Sequence, residues 1–429
     1  MTYITLSFEV HQPFRLKKNI PLNSPDFSNF FDDQKNKEIF LRVANKCYKK
    51  AGSIILELLD KYKEFKVNFS FSGTVIEQAE MYDKDTFEIF IQIMQHKQVE
   101  VLAETYYHSL VSLFEDKEEF IEQVIENKNL IRSLSKKEPK TFVNTEMIFN
   151  NIIAKEVENL GFEAIVTEGA ERILQWRSPN FVYTRISFGE NDKPFNKRIK
   201  IFLRNYRLSD DIAFRFGSRD WSEWPLTADK YAAWLAATPG KIINIYIDFE
   251  TFGEHYWEES GIFWFLKALP YEILKYEHLK FVNFKDVIDK IEPIAEFDVF
   301  EFSTISWADV SKDVSAWLGN ELQFKIFNLL KELKEDLKEN ENEKLKKLYK
   351  YLTQSDLLYY LSLKGYPDGA VHNYFRGHES PFEIFSNYLT ALISLKAEIE
   401  KEKEIAKKLR EIMEVERIKK GLKRKGLKI

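Results

Sequence analysis

The chain has 429 residues, 44% of them hydrophobic, with 36 Phe, 20 Tyr and a formal net charge of −5. That length exceeds a usual single domain and the apolar content can build a large core, while the slightly acidic balance leaves no basic footprint for nucleic acid and no apolar run is long enough for a membrane span. A single cysteine, Cys47, excludes an internal disulfide and reads as an inert buried thiol in a helical stretch.

The N-terminal residues form a strand over 3–10 that stops at His11-Gln12-Pro13, where proline cannot extend the ladder. No basic region or small-residue cleavage site marks a secretory leader there, so the expected compartment is the cytoplasm. Residues 14–33 read as a polar loop that is too aromatic, with Phe27, Phe30 and Phe31, to be a plain linker. Helical periodicity runs over 38–62, a strand over 67–72 and a helix over 77–95. The alternation repeats with strands at 99–103, 141–144 and 164–167 and helices at 117–134 and 151–160. Two short strands follow at 182–186 and 199–203, then a helix at 225–238, the run IINIYID from Ile242 to Asp248, and a last strand at 279–282. Strands alternating with helices imply a parallel sheet with right-handed crossovers.

Polar residues collect where strands end: His11, Gln12, His108, Glu146, Asp248, Glu250, Glu254 and His255. A closed or nearly closed βα barrel gathers such ends around one mouth; a doubly wound open sheet is the second architecture that fits. From about residue 293 the pattern becomes helical and charged, so the expected division is a barrel domain over residues 1–292 and a helical region over 293–429 that contributes to the substrate cleft. The sequence sets no oligomeric state.

Three chemistries suit these residues. The first is a carboxylate pair working on a glycosidic bond, with Glu146 and Asp248 at strand ends backed by apolar residues. Glu146 also reads as a favourable acid at a helix start, and Asp248 as a loop or cap carboxylate. The second is a divalent metal held by His11, His108 and a carboxylate, although the histidines lack a dense ligand spacing. The third is sugar binding without turnover. Gly-rich phosphate loops, the GxSxG elbow and CxxC are absent from the sequence.

Five segments resemble, in order, the five short regions of glycoside hydrolase family 57, in its α-amylase and 4-α-glucanotransferase branch. They are His11-Gln12-Pro13, VEVLAETYYHS from Val99, FVNTEMIFN from Phe142, IYIDFETFGEH from Ile245 and LTQSDLLYYLS from Leu352. The resemblance implies a distorted (β/α)7 barrel followed by a helical region, with Glu146 as nucleophile, Asp248 as general acid/base, and His11, His108 and Asp356 on the substrate. It further implies a retaining action on α-glucan or malto-oligosaccharide, with no metal, no cofactor, and neither nucleic acid nor membrane as partner. Leu357 and Leu358 depart from the family pattern, which bears on what the resemblance implies for the outer subsites rather than for catalysis. A family tryptophan that stacks on sugar is matched by Trp221, for which a core position is an equal reading. Glu250, Glu254 and His255 surround Asp248 as orienting groups or as hydrogen bonds within their own loop. Residues 365–383 read as a lid or a surface loop, with His372 and His378 as ordinary polar residues. A metal-dependent deacetylase and a non-catalytic glucan-binding protein are the alternatives from other classes.

Overall fold

The computed structural model describes residues 1–22, 25–377 and 379–424, the side chains of 415–424 excepted; His378 and the last five residues of the basic end lie outside the described residues. Nine strands share one sheet: β1 Thr2–Val10, β2 Val67–Phe71, β3 Val99–Leu102, β4 Thr141–Val143, β5 Ala164–Glu168, β6 Val182–Thr184, β7 Lys200–Arg204, β8 Ile242–Asp248 and β9 Leu279–Phe281. The path runs β3-β2-β1-β8-β7-β5-β4, and every neighbouring pair on it is parallel. Its two ends meet where Ala103 bridges Phe142, with the Ala103 N–H donating to the Thr141 carbonyl at 3.0 Å and the Val143 N–H to the Ala103 carbonyl at 2.9 Å. Seven strands thus form a nearly closed barrel, as expected. One expectation fails: β6 is antiparallel to β7. The link between them carries only the single turn Phe195–Lys197, which is too short for a crossover helix, so the chain folds straight back.

Alternation along the strands sets what faces where. Ile4, Leu6, Phe8 and Val10 of β1, Val67, Phe69 and Phe71 of β2, and Ile243, Ile245 and Ile247 of β8 belong to one apolar core shared with the surrounding helices. The intervening residues therefore point inward, and they are polar: Thr5, Ser7 and Glu9; Asn68 and Ser70; Asn244, Tyr246 and Asp248. Several of them pair with one another. Thr5 Oγ1 donates to Asn244 Oδ1 at 3.0 Å, Asn68 Nδ2 to Ser7 Oγ at 3.0 Å, and the Ser70 and Tyr246 hydroxyls meet at 2.7 Å. A smaller apolar cluster around Val143, Val166, Phe202 and Phe284 takes in the inward Ile242 and Tyr246 of β8. The run IINIYI is buried on both faces, with Ile243, Ile245 and Ile247 outward and Ile242, Asn244 and Tyr246 inward.

The helix expected over 77–95 is two, Gly73–Tyr82 and Lys84–Gln95, parted at Asp83, whose backbone is extended. Helix Ile262–Leu274, apolar and carrying Pro270 within it, was not anticipated.

The chain groups into two compact units, Met1–Pro13 with Gln34–Ala316, and Phe14–Asp33 with Trp317–Ile429. In the second unit Phe14 packs edge-on to Phe27 and Tyr351 at 5.1 and 5.3 Å, and its N–H donates to Gln354 Oε1 at 2.7 Å, which accounts for the rings in the early loop. The rest of that unit is helical, from Glu321–Leu337 to Pro381–Arg424, and residues 365–383 contain the helix Asp368–Arg376. None of the described helices is long and apolar enough to cross a membrane.

Candidate active site

The carboxyl ends of β1, β3, β4 and β8 bring Glu9, His108, Glu146 and Asp248 to one place. Glu146 follows β4 in a single 3-10 turn and takes the left-handed conformation (φ 56°, ψ 23°), as do Met147 (φ 53°) and His108 (φ 48°). Such backbone costs about 1–3 kcal/mol per residue and persists where the surroundings dictate it, commonly at functional sites. The surroundings here are explicit. Thr105 Oγ1 and Thr145 Oγ1 meet at 2.6 Å, tying the two turns together, and Asn144 Nδ2 donates to the Ile148 carbonyl at 2.9 Å.

A segment distant in sequence completes the turn. Ile305 and Phe149 exchange backbone hydrogen bonds of 3.0 and 3.1 Å, and the Trp307 N–H donates to the Glu146 carbonyl at 3.1 Å. In that register the Trp307 indole N–H donates to Glu146 Oε2 at 2.7 Å.

His108 is buried and approached on both ring nitrogens. Nδ1 lies 3.2 Å from Glu104 Oε2, and Nε2 lies 3.3 Å from Glu9 Oε1 and 3.7 Å from Glu146 Oε1. Its ring stacks on His11 at 4.0 Å, and His11 Nδ1 in turn meets Ser72 Oγ at 2.8 Å. Burial alone would lower the His108 pKa, but hydrogen bonds to Glu104 and Glu146 and the charges of Glu9 and Glu104 raise it well above the usual histidine value. Burial drives Glu9 upward, aided by the charges of Glu104, Asp248 and Glu146 and opposed by His108.

Asp248 ends β8. Burial, followed by the charge of Glu146, pushes its pKa up to about 7, against the pull of Arg204 and His108. Arg204, at the end of β7, is itself buried and fixed: Nε donates to the Tyr246 carbonyl at 2.7 Å, Nη1 meets Glu168 at 3.0 Å and Nη2 meets Asp210 at 2.7 Å. Glu250 is raised to about 8 by burial and by Asp248; it accepts from the Tyr48 hydroxyl and from the backbone N–H of His11. It therefore joins the ends of β8 and β1. Glu254 pairs with Arg42 at 2.9 Å and Lys46 at 3.7 Å, outside the carboxylate cluster. Burial lowers His255 to about 4, which keeps it neutral near pH 7.

Trp221 packs edge-on to Trp234 at 5.9 Å with the Arg215 guanidinium 5.7 Å over its ring. Asp356 belongs to the second unit, half-buried in the first turn of helix Ser355–Tyr359. As for metal, the described residues offer one group, Glu9, Glu104 and His108, with ligand atoms all within 4.8 Å of one another. The two carboxylates sit on opposite nitrogens of the imidazole, so an ion bound at one nitrogen would keep only one of them in its shell.

Sequence reading missed Glu9, Glu104, Arg204 and Trp307. Glu9 had a signal, being the third polar residue in the alternation Thr5, Ser7, Glu9. Trp307 had none, since it reaches Glu146 across 161 positions from irregular backbone.

A barrel mouth that pairs a carboxyl titrating near neutrality with a second carboxylate beside a histidine is equipped for acid–base hydrolysis. The model of glycosyl hydrolase family 57 matches residues 5–299. A Methanocaldococcus jannaschii protein named "Putative alpha-amylase" is 51% identical over 399 residues, covering 91% of this chain and 83% of the relative. The fold is also that of a GH57-type branching enzyme from Pyrococcus horikoshii (TM-score 0.61, 12% identity, 91% of this chain and 94% of that one). It is shared with the 4-α-glucanotransferase of Thermococcus litoralis (TM-score 0.55, 18% identity), where 87% of this chain spans 54% of the other. The chain belongs to glycoside hydrolase family 57, and it is a retaining glycoside hydrolase.

Proposed function

We propose that this enzyme hydrolyses α-1,4 bonds in glucans and malto-oligosaccharides, with Glu146 as nucleophile and Asp248 as general acid and then base. The observation that carries the reading is the difference between the two carboxyls. Asp248, pushed up to about 7, holds a proton near neutrality, while Glu146 accepts the Trp307 indole N–H and faces His108. Glu146 attacks the anomeric carbon as Asp248 delivers its proton to the departing glycosidic oxygen, leaving a glycosyl ester on Glu146. Asp248, now ionised, takes a proton from water, whose oxygen displaces Glu146 and restores the starting configuration. His11 and His108 supply donors to sugar hydroxyls and Trp221 an aromatic face for substrate. The α-amylase name of the M. jannaschii relative supports the substrate class. The buried thiol of Cys47 suits a reducing compartment, and we assign the enzyme to the cytoplasm.

Incubation with maltoheptaose tests the reading. Shorter products alone support hydrolysis, longer chains reassign the acceptor to sugar and make the enzyme a glucanotransferase, and new α-1,6 bonds make it a branching enzyme. Undiminished turnover by Glu146→Gln would overturn the assigned roles.

A further inference from the structure

His108 is an unusual side chain to find buried in this way, because both of its ring nitrogens look at carboxylate oxygens: Glu104 on one side, Glu9 and Glu146 on the other. A neutral imidazole has one N–H and one lone pair. With the flanking acids ionised, whichever nitrogen lacked the hydrogen would press its lone pair against an acceptor in a buried setting. Only the doubly protonated ring donates in both directions.

The two flanking acids are themselves held in place. The Glu104 N–H donates to Asn127 Oδ1 at 3.1 Å, and Asn127 Nδ2 donates to the Phe71 carbonyl at 3.1 Å, so the helix Glu118–Ser135 fixes Glu104 against the end of β2. Glu9 is locked in β1 between β2 and β8, with the Tyr246 hydroxyl 3.4 Å from its Oε2. The left-handed backbone of His108 is pinned by its own N–H donating to the Thr105 carbonyl at 3.1 Å. Nothing in this arrangement requires Glu9 or Glu104 to reach the substrate.

We propose that Glu9 and Glu104 are positioning residues that clamp His108 as a permanent imidazolium, so that a fixed cation stands beside the Glu146 carboxylate throughout the reaction. The charged and titratable groups facing that cation are Glu9 and the stacked His11 from β1 and its end, Glu104 from the end of β3, Glu146 from the end of β4, and Asp248 from β8. The clamp has two consequences. It sets a positive charge against the Glu146 carboxylate beside Asp248, and it leaves His108 able to donate to sugar but unable to act as a base. The effect on rate rests on Glu146 being the nucleophile; the charge state of His108 does not.

Ring-nitrogen NMR on the full-length protein with selectively labelled histidine reads the charge directly, and the signal is assigned by its loss in His108→Gln. In the wild type both His108 nitrogens should still carry protons well above the pH at which an unperturbed histidine becomes neutral. In Glu104→Gln, and separately in Glu9→Gln, the midpoint should shift by at least tenfold in proton concentration toward acid. Activity on maltoheptaose should follow: kcat falls about tenfold with KM within about twofold. A neutral His108 in the wild type at pH 7 overturns the clamp without needing any variant. So does an unchanged midpoint in both variants, provided circular dichroism shows them folded. If Glu146→Gln turns over normally while His108 is doubly protonated, the catalytic assignment falls and the clamp stands; the converse result separates the two in the other direction.

Discussion

Trp307 holds Glu146 at both ends: its backbone N–H donates to the Glu146 carbonyl at 3.1 Å and its indole N–H to Glu146 Oε2 at 2.7 Å. The first contact secures a left-handed backbone and the second aims one carboxylate oxygen, leaving the other toward His108. The ring is fixed in turn, with Tyr246 edge-on at 5.8 Å and the Arg204 guanidinium 5.6 Å from its centre.

Replacing Trp307 with Phe keeps the backbone bond and much of the ring but removes the indole donor. A hydrogen bond to a charged group is worth about 1.5–3 kcal/mol, so kcat on maltoheptaose should fall roughly 10- to 100-fold. Thermal melting should change little by comparison. A loss of stability without loss of kcat would make Trp307 a packing residue only.

Asp248 must be protonated when it serves as acid, so kcat/KM should decline above about pH 7, following the raised pKa of that carboxyl. Steady-state rates across pH 4–9 in the wild type locate that limb. In Asp248→Asn the limb disappears together with nearly all turnover of unactivated glucan.

The same shift has a stability consequence. The folded protein holds the Asp248 proton more tightly than the unfolded chain does, so stability from this group is fully present below about pH 4 and is lost as pH rises through about 7. Asp248→Asn carries no such charge. Its advantage over the wild type should therefore be absent at pH 4, grow up to pH 7 and level off at no more than about 4 kcal/mol, read as a rise in melting temperature.

Arg204 is 3% exposed and anchors Glu168, Asp210 and the Tyr246 carbonyl at once. Arg204→Met strands buried charge, and the expected cost is about 3–5 kcal/mol. Lys312, 3.2 Å from Glu168, compensates that acid only in part. Because Arg204 opposes the raised pKa of Asp248, any folded variant should also show its basic limb at higher pH.

Gly253 lies within FETFGEH, where it reads as part of an active-site loop. Its φ is +119°, and a Cβ there would come within 2.0 Å of the Lys46 carbonyl oxygen. Gly253→Ala should therefore lower the melting temperature sharply, since the atom it meets is backbone and cannot swing aside. Urea unfolding of the two proteins checks this.

All nine strands could be read from hydrophobic pattern and breaker residues, because each is short, β-branched or aromatic, and ends in a change of polarity. Asp248 was legible for the same reason, standing where an apolar run stops. What stayed hidden was set by three-dimensional neighbours. The left-handed turn at Glu146 has no local signature, since neither Gly nor Asn occupies it. The antiparallel return of β6 followed from a link too short for a helix. The break at Asp83 divides a pattern whose periodicity continues on both sides. Glu104 gained its importance only once β3 was seen beside β4, and Trp307 only once residues 305–307 were seen running along 146–149.

The inward alternation Thr5, Ser7, Glu9 and Asn244, Tyr246, Asp248 has one more consequence. The main apolar core lies in the ring between strands and helices, and inside the barrel the polar rungs of β1 and β8 stand beside an apolar cluster that takes in Tyr246, Val143, Val166 and Phe202. Side chains at the mouth can then be exchanged without hollowing the annulus that supports them. A barrel built this way can be retuned toward a different acceptor by rewriting a few rungs of an internal hydrogen-bond ladder while its mechanical frame stays as it is.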